Sequence, residues 1–424
     1  MLVRKLLAFV VACSLLTSVA AAQEKDKKDQ SEKAPAPTAG AKAKSRAAAD
    51  SGKKADSGKK KSAAPAEADS PLPPAEEFAA LYREFKELVN RLGQIQQKYG
   101  SDANADKEAL EKEFNAKVDQ TKALETRLSA AAEKAYLAAP NKDREQNEYL
   151  MARLNKLLAT DDYEEAVRLT KVLIGNQFEM KFFNTIAGLG FFGGNDFENS
   201  EKHLKLAEKK GELDAAQFPP AAMGKRTLEM IGKHNYKDLW EKEQAIRAAE
   251  EKAGDLPRIK LETNKGDIVV ELFENEAPIA TNNFVNLVEK KFYDGVKFHR
   301  VLPGFMAQGG DQTKGDGSGG PGYTIPDEYQ QSNHRNHFRG SLSMARTGQK
   351  DSGGSQFFLC FTPTSNLDGA YTVFGRIVDG FDVLAKLQRC QPGDTNTPDK
   401  ITKAAVLAKR NHKYEPKVKL PEKK

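Results

Sequence analysis

The sequence is poor in the groups that carry most catalytic chemistry. Its 424 residues hold one Trp, three Cys and six His. No stretch sets His, Cys, Asp and Glu at metal-ligand spacing. His334 and His337 in His334-Arg335-Asn336-His337 lack further ligands and read as a solvated loop. No Ser/His/Asp or Cys/His nucleophilic set is evident. Three cysteines, Cys13, Cys360 and Cys390, do not make a disulfide scaffold. Cys360 follows an apolar run and reads as a small buried hydrophobe. Beyond the first 22 residues there is no long hydrophobic run, which excludes a multi-span membrane protein. Basic residues are nowhere interleaved with aromatics in a folded region, which argues against nucleic-acid binding. Gly315-x-Gly317-x-x-Gly320 matches a dinucleotide fingerprint, but Pro321 stands where a helix should begin and no strand–turn–helix frame surrounds it. A flexible loop is the better reading, and neither a metal nor a cofactor is implied.

The termini have their own character. Arg4 and Lys5, an apolar run from Leu6 to Val19 and Ala20-Ala21-Ala22 form a secretory signal over residues 1–22, so an exported chain of the periplasm or cell envelope is expected to begin near Gln23. Val10-Val11-Ala12-Cys13 also fits a lipoprotein box, which gives an acylated Cys13 as the alternative. Residues 23–72 are Lys, Ala, Ser, Asp and Pro without an aromatic, with a direct repeat of Ala-Asp-Ser-Gly-Lys-Lys at 49–54 and 55–60. Such a segment cannot offset chain entropy by burial and reads as a disordered basic linker. Of the net charge of +6, residues 1–22 supply +2, residues 23–72 supply +4 and residues 401–424 supply +6, leaving −6 for the folded part. Residues 411–424 read as a solubilising basic tail.

Helical periodicity begins after Pro73-Pro74. Phe78, Leu81, Phe85, Leu88, Leu92 and Ile95 recur in steps of three and four, and Leu110, Phe114, Val118, Leu124 and Leu128 follow after a short break. Residues 73–140 therefore predict two long helices, paired as an antiparallel hairpin or leaving the stripe for dimerisation. Residues 141–253 stay helical. Asp162-Tyr163-Glu164-Glu165-Ala166 recurs in kind as Asp196-Phe197-Glu198-Asn199-Ser200, at the 34-residue period of the tetratricopeptide repeat, and Ala187-Gly188-Leu189-Gly190 suggests a small-residue packing face. Both units lack that repeat's Trp, which leaves TPR-like hairpins beside an unrelated bundle. Trp240 reads as core.

After Gly254-Asp255-Leu256-Pro257 the period switches to two. Ile259 and Leu261 face Ile268, Val270 and Leu272 across Asn264-Lys265-Gly266, a hairpin with a three-residue loop, and Ala277-Pro278 opens a helix burying Phe284, Leu287 and Val288. Three motifs follow: Phe298-His299-Arg300-Val301-Leu302-Pro303-Gly304-Phe305-Met306-Ala307-Gln308-Gly309-Gly310-Asp311, Ser341-Leu342-Ser343-Met344-Ala345-Arg346, and Gly354-Ser355-Gln356-Phe357-Phe358. In this order they resemble the cyclophilins, the cyclosporin-binding peptidyl-prolyl isomerases, over residues 256–410.

The resemblance implies a C-terminal closed antiparallel β-barrel with capping helices behind an all-α N-terminal region. It also implies catalysis of X-Pro isomerisation in exported polypeptide clients. It gives Arg300 the catalytic position, an apolar proline socket to Phe305, Met306, Phe358 and Leu367, and the grip on the peptide backbone to Gln308, Gln356 and the main chain of Ala345 and Arg346, with at most a minor role for His299. Asn366 stands where animal members have Trp, Tyr371 where they have a pocket His, and Arg346 where Asn is frequent. These changes put strong cyclosporin binding in doubt, and Arg346 adds positive charge at the rim. The rival reading is a helical interaction or chaperone module that binds protein partners, with the barrel as an accessory proline-peptide binder.

Overall fold

The computed structural model describes residues 72–102 and 104–420. The signal segment, Cys13 and almost all of the basic linker lie outside the described residues. Two compact units divide between Ala139 and Pro140. Among the described residues no helix is long and apolar enough to cross a membrane.

The first unit is a hairpin of α1 (Pro74–Ser101) and α2 (Lys107–Ala138). Pro74 stands at the first turn of α1, where its missing N–H costs nothing, and the Asp106 carboxylate accepts from Ala109 N at 3.0 Å to cap α2. Phe78, Leu81, Phe85, Leu92 and Ile95 bury one stripe of α1. Arg91 pairs with Glu113 and Lys134 with Glu77, so the helices run antiparallel and the apolar stripe is consumed within the chain.

The second unit begins with three helix pairs: α3 (Arg144–Ala159) with α4 (Tyr163–Gly175), α5 (Phe183–Gly193) with α6 (Phe197–Lys209), and α7 (Pro220–His234) with α8 (Tyr236–Ala253). The recurring Asp162 and Asp196 are N-caps, accepting from Glu165 N at 3.4 Å and Asn199 N at 3.1 Å. Every residue of α5 is buried. Its glycines let neighbours approach: a Cβ on Gly193 would lie 2.0 Å from the Tyr163 ring.

The barrel follows. Its strands are β1 (Arg258–Thr263), β2 (Gly266–Leu272), β3 (Arg300–Leu302), β4 (Met306–Gly309), β5 (Ser341–Met344), β6 (Phe357–Cys360), β7 (Val373–Asp379) and β8 (Ile401–Ala408), with α9 (Pro278–Glu289) and α10 (Phe381–Lys386). They form one antiparallel sheet in the order β3-β4-β6-β5-β7-β2-β1-β8. The run into β3 pairs with the segments before β8, through Phe298 N to Asp399 O and Val301 N to Cys390 O, both 2.8 Å, which closes the barrel. Ile259 pairs with Val270 and Leu261 with Ile268, but Thr263 faces Gly266, so the β1–β2 loop has two residues rather than three. Gly266 takes φ +129° there, a conformation glycine reaches without strain. Phe284 of α9 meets Phe357 edge-on at 5.4 Å inside the core. The Glu328 carboxylate accepts from Ile279 N and Ala280 N, both at 2.9 Å, and so caps α9.

Helical region and barrel share a buried boundary. Phe338, after the barrel's long loop, joins Phe192, Phe197, Ile231 and Tyr236 in one apolar cluster, and Trp240 meets it edge-on at 4.8 Å. Arg335 is sealed against Glu243 at 2.7 Å and Glu250 at 2.6 Å. Asp161, fully buried between α3 and α4, accepts from Gly304 N at 2.8 Å and from Arg389 at 2.6 Å. Residues 411–420 are held rather than loose: Tyr414 is buried with its hydroxyl on Glu274, and Lys419 makes an antiparallel bridge with Thr324.

Candidate active site

Strand alternation builds the site. On β3, β4 and β6 the residues Val301, Ala307 and Leu359 point into the barrel core, so their neighbours point outward. The register sets Arg300 opposite Gln308, Gln308 opposite Phe358, and Phe358 opposite Ser343, one row across four strands. The next row holds Leu302, Met306 and Cys360. Leu302-Pro303-Gly304-Phe305 is the connecting turn, with Phe305 N donating to Leu302 O at 3.2 Å and Gly304 at φ +66°.

Of the residues singled out from sequence, Met306 and Phe358 form a buried apolar cluster with Cys360, against which Phe305, Ala345, Leu367 and Tyr371 pack. The Phe358 and Tyr371 rings meet edge-on at 5.8 Å. Arg300 is half-buried, and its guanidinium enters no ion pair among the described residues.

Gln308, Gln356, Ala345 and Arg346 line an adjoining cleft of about 510 Å³ that runs to Gly317–Thr324 and Leu420. Gln308 donates its amide N–H to Gln356 Oε1 at 2.9 Å, which leaves Gln308 Oε1 as an acceptor. Gln356 donates in turn to Gly317 O at 2.9 Å and Gly319 O at 2.8 Å, so its amide is spent on positioning. Ala345 N donates to Gln356 O at 2.9 Å. Arg346 donates to Ala370 O at 2.8 Å and lies over the rings of Tyr371 and Tyr329, which draws its charge back from the rim.

Three features were not read from the sequence. The Gly315–Gly320 loop, expected to be flexible, winds round the buried carboxylate of Asp311, which accepts from the N–H groups of Thr313, Lys314, Gly317 and Gly319. Burial by itself would raise the Asp311 pKa; the backbone donors outweigh it and hold the carboxyl far below the ordinary range.

His337, expected in a solvated loop, is 1% exposed and stacks parallel to Phe358 at 5.9 Å. Its Nδ1 meets Asp368 Oδ1 at 2.8 Å and its Nε2 meets Ser343 Oγ at 3.0 Å. This is a Ser-His-Asp contact, but Ser343 is wholly buried and its hydroxyl donates to Thr372 O at 3.0 Å. It cannot reach a substrate, and the set fixes the Phe358 ring.

His299 is also buried, its Nδ1 without a hydrogen-bond partner among the described residues, and burial lowers its pKa. Cys360 and Cys390 are buried free thiols, and burial pushes Cys360 up to about 12. Among the described residues no cluster of His, Cys, Asp and Glu could hold a metal.

The family model described as "Cyclophilin type peptidyl-prolyl cis-trans isomerase/CLD" matches residues 258–406. A peptidyl-prolyl cis-trans isomerase of Synechococcus elongatus is 52% identical over 146 residues, 34% of this chain and 97% of that protein. One of Helicobacter pylori is 51% identical over 131 residues, 30% of this chain and 78% of that protein. A crystal structure of a cyclophilin-type isomerase from Cryptosporidium parvum covers 37% of this chain and 99% of its own at 31% identity, with a TM-score of 0.34. Half-identity sustained across nearly the whole of a bacterial isomerase shows that this chain belongs to the cyclophilin-type peptidyl-prolyl cis-trans isomerases.

Proposed function

We propose that the enzyme isomerises X-Pro bonds in exported or envelope proteins, with Arg300 stabilising the twisted amide. The barrier to rotation, about 18–20 kcal/mol, comes from amide resonance. Twisting the bond removes that resonance and returns a lone pair to the proline nitrogen. A catalyst therefore needs a donor that binds the twisted form better than either planar isomer, and no covalent step. A guanidinium is permanently charged and planar, and Arg300 carries one beside the Met306–Phe358 socket. The ring would rest in that socket while the free Oε1 of Gln308 and the Ala345 carbonyl hold the flanking backbone. The observation that carries this reading is the single row that puts Arg300, Gln308 and Phe358 on adjacent strands.

The signal-like residues 1–22 support export. The Asp162 and Asp196 caps, 34 residues apart, support TPR-like hairpins that bind protein partners. The test is cis–trans exchange of a short Ala-Pro peptide by the full chain. Arg300→Ala is expected to lower kcat/KM by about 10²–10³, the loss typical of one preorganised donor, with an unchanged far-ultraviolet spectrum. A folded Arg300→Ala protein with full activity overturns the role of Arg300, and no acceleration by folded wild type overturns the isomerase reading for such substrates.

A further inference from the structure

Beside the socket, on the far side of Phe305, a second concavity of about 380 Å³ runs between the helical region and the barrel. Leu158, Phe192, Met223 and Met230 form its helical wall, and Phe305 and Pro363 its barrel wall. Its size falls in the range of about 300–1,000 Å³ usual for binding pockets.

Three observations make it more than a seam between packed elements. Phe305 belongs to both sites: it packs on the Met306–Phe358 cluster and lines the groove, so the groove starts where the socket ends. Asn155 on α3 is 5% exposed, lines the groove and has an amide Nδ2 with no hydrogen-bond partner among the described residues. A buried amide left unpaired is unfavourable, and an incoming carbonyl would satisfy it. Met223 is 56% exposed at the mouth although large and apolar, and an unbranched thioether adapts to side chains of varied shape. The barrel wall is firmly placed, since Gly304 gives its N–H to Asp161 at 2.8 Å and its carbonyl accepts from Thr362 Oγ1 at 2.9 Å.

We infer that this groove binds an extended apolar segment of the same client whose proline occupies the socket, a stretch bearing Leu, Phe or Met a few residues from the X-Pro bond. The inference rests on the isomerase reading above. Asn155 Nδ2 donates to a client backbone carbonyl, and the Leu158, Phe192 and Met223 walls take the side chains. The helical region is thereby part of substrate selection, and continuity through Phe305 makes the client polypeptide the occupant.

The experiment compares two peptides on the full chain: a short Ala-Ala-Pro-Ala core, and the same core extended on either side by segments bearing two Leu residues. Exchange rates give kcat and KM, and a fluorescent copy of each gives Kd. Wild type is expected to bind the extended peptide about tenfold more tightly, a modest share of the apolar area offered because ordering costs offset the rest. Met223→Glu, at an exposed position, and Ala159→Trp, which fills the groove from the exposed end of α3, are each expected to abolish that advantage and leave the core-peptide rate unchanged. Equal affinity of wild type for both peptides, or an advantage that survives both variants, overturns the inference. So does a wild-type dimer that Met223→Glu breaks, which would give the groove to a second copy. Core-peptide turnover reports the isomerase reading separately. If turnover were absent, the Kd comparison would still decide the groove.

Discussion

Asp161→Ala tests whether the helical region sets the geometry of the catalytic face. The carboxylate is fully buried, and it holds Gly304 N at 2.8 Å in the turn between Arg300 and Phe305 and Arg389 at 2.6 Å. A hydrogen bond to a charged group contributes about 1.5–3 kcal/mol. The Arg389 side chain is 25% exposed and can return to water, so that pair adds about 1 kcal/mol at most. Burial raises the Asp161 pKa in spite of both partners, so relief of the carboxylate's own desolvation offsets most of that sum, and the loss comes mainly from leaving the Gly304 N–H unpaired. The expected loss is about 1–3 kcal/mol, or about 2–12 °C in Tm for a unit of this size. Calorimetry gives the loss, and hydrogen exchange of residues 300–306 is expected to speed up. Because Phe305 follows the freed turn, kcat/KM for a short Ala-Pro peptide should fall about tenfold. Asp161→Asn keeps an oxygen for Gly304 and should lose less than the Ala variant on every readout. A change in stability below about 0.5 kcal/mol, or an Asn variant as damaged as the Ala variant, refutes the reasoning.

Arg335→Met removes the partner that Glu243 and Glu250 share, leaving each with one arginine, Arg247 at 2.7 Å and Arg376 at 3.0 Å, and is expected to cost about 1.5–3 kcal/mol by urea titration; adding Glu243→Leu should recover part of it. Gly310→Ala is expected to cost at least about 2 kcal/mol and to displace Gln356, because Gly310 has φ +97° and a Cβ would sit 2.3 Å from Ser355 O. Its peptide turnover and thermal unfolding check both effects. For pH, burial lowers the pKa of His299 and of His203 below the ordinary 6.5 or so, so the unfolded chain takes up protons first. Stability from these groups is therefore complete above about pH 6.5 and falls on acidification, by no more than about 1.4 kcal/mol per pH unit for each. His299→Gln should flatten the slope of unfolding free energy below about pH 6.5, and an unchanged slope would remove His299 from the account.

The apolar steps of three and four in Phe78 to Ile95 and the alternation of Ile259 to Leu272 marked helix and strand because side-chain direction repeats locally along each element. The Phe298–Asp311 motif likewise held most of the site, since Arg300 and Gln308 lie on one hairpin whose register follows from its turn. The hydrogen-bonded set behind Phe358 was hidden: His337 and Asp368 are far apart in the chain, and nothing near His337 signals burial. Asp162 was conspicuous as half of a repeat, whereas its neighbour Asp161, which reaches the catalytic turn, carried no pattern at all.

The sequence by itself determined the elements and the charge of the ends, because each depends on spacing or composition within one segment, and its three motifs carried the resemblance to the cyclophilins. Only the tertiary structure decided that Arg335 and Asp161 bind helices to barrel, that Tyr414 and Lys419 tie residues 411–420 to the barrel, and that Phe305 faces two sites. Those outcomes depend on which surfaces meet after the chain has folded back over many tens of residues. A charged or aromatic side chain looks the same in sequence whether another element covers it or water does.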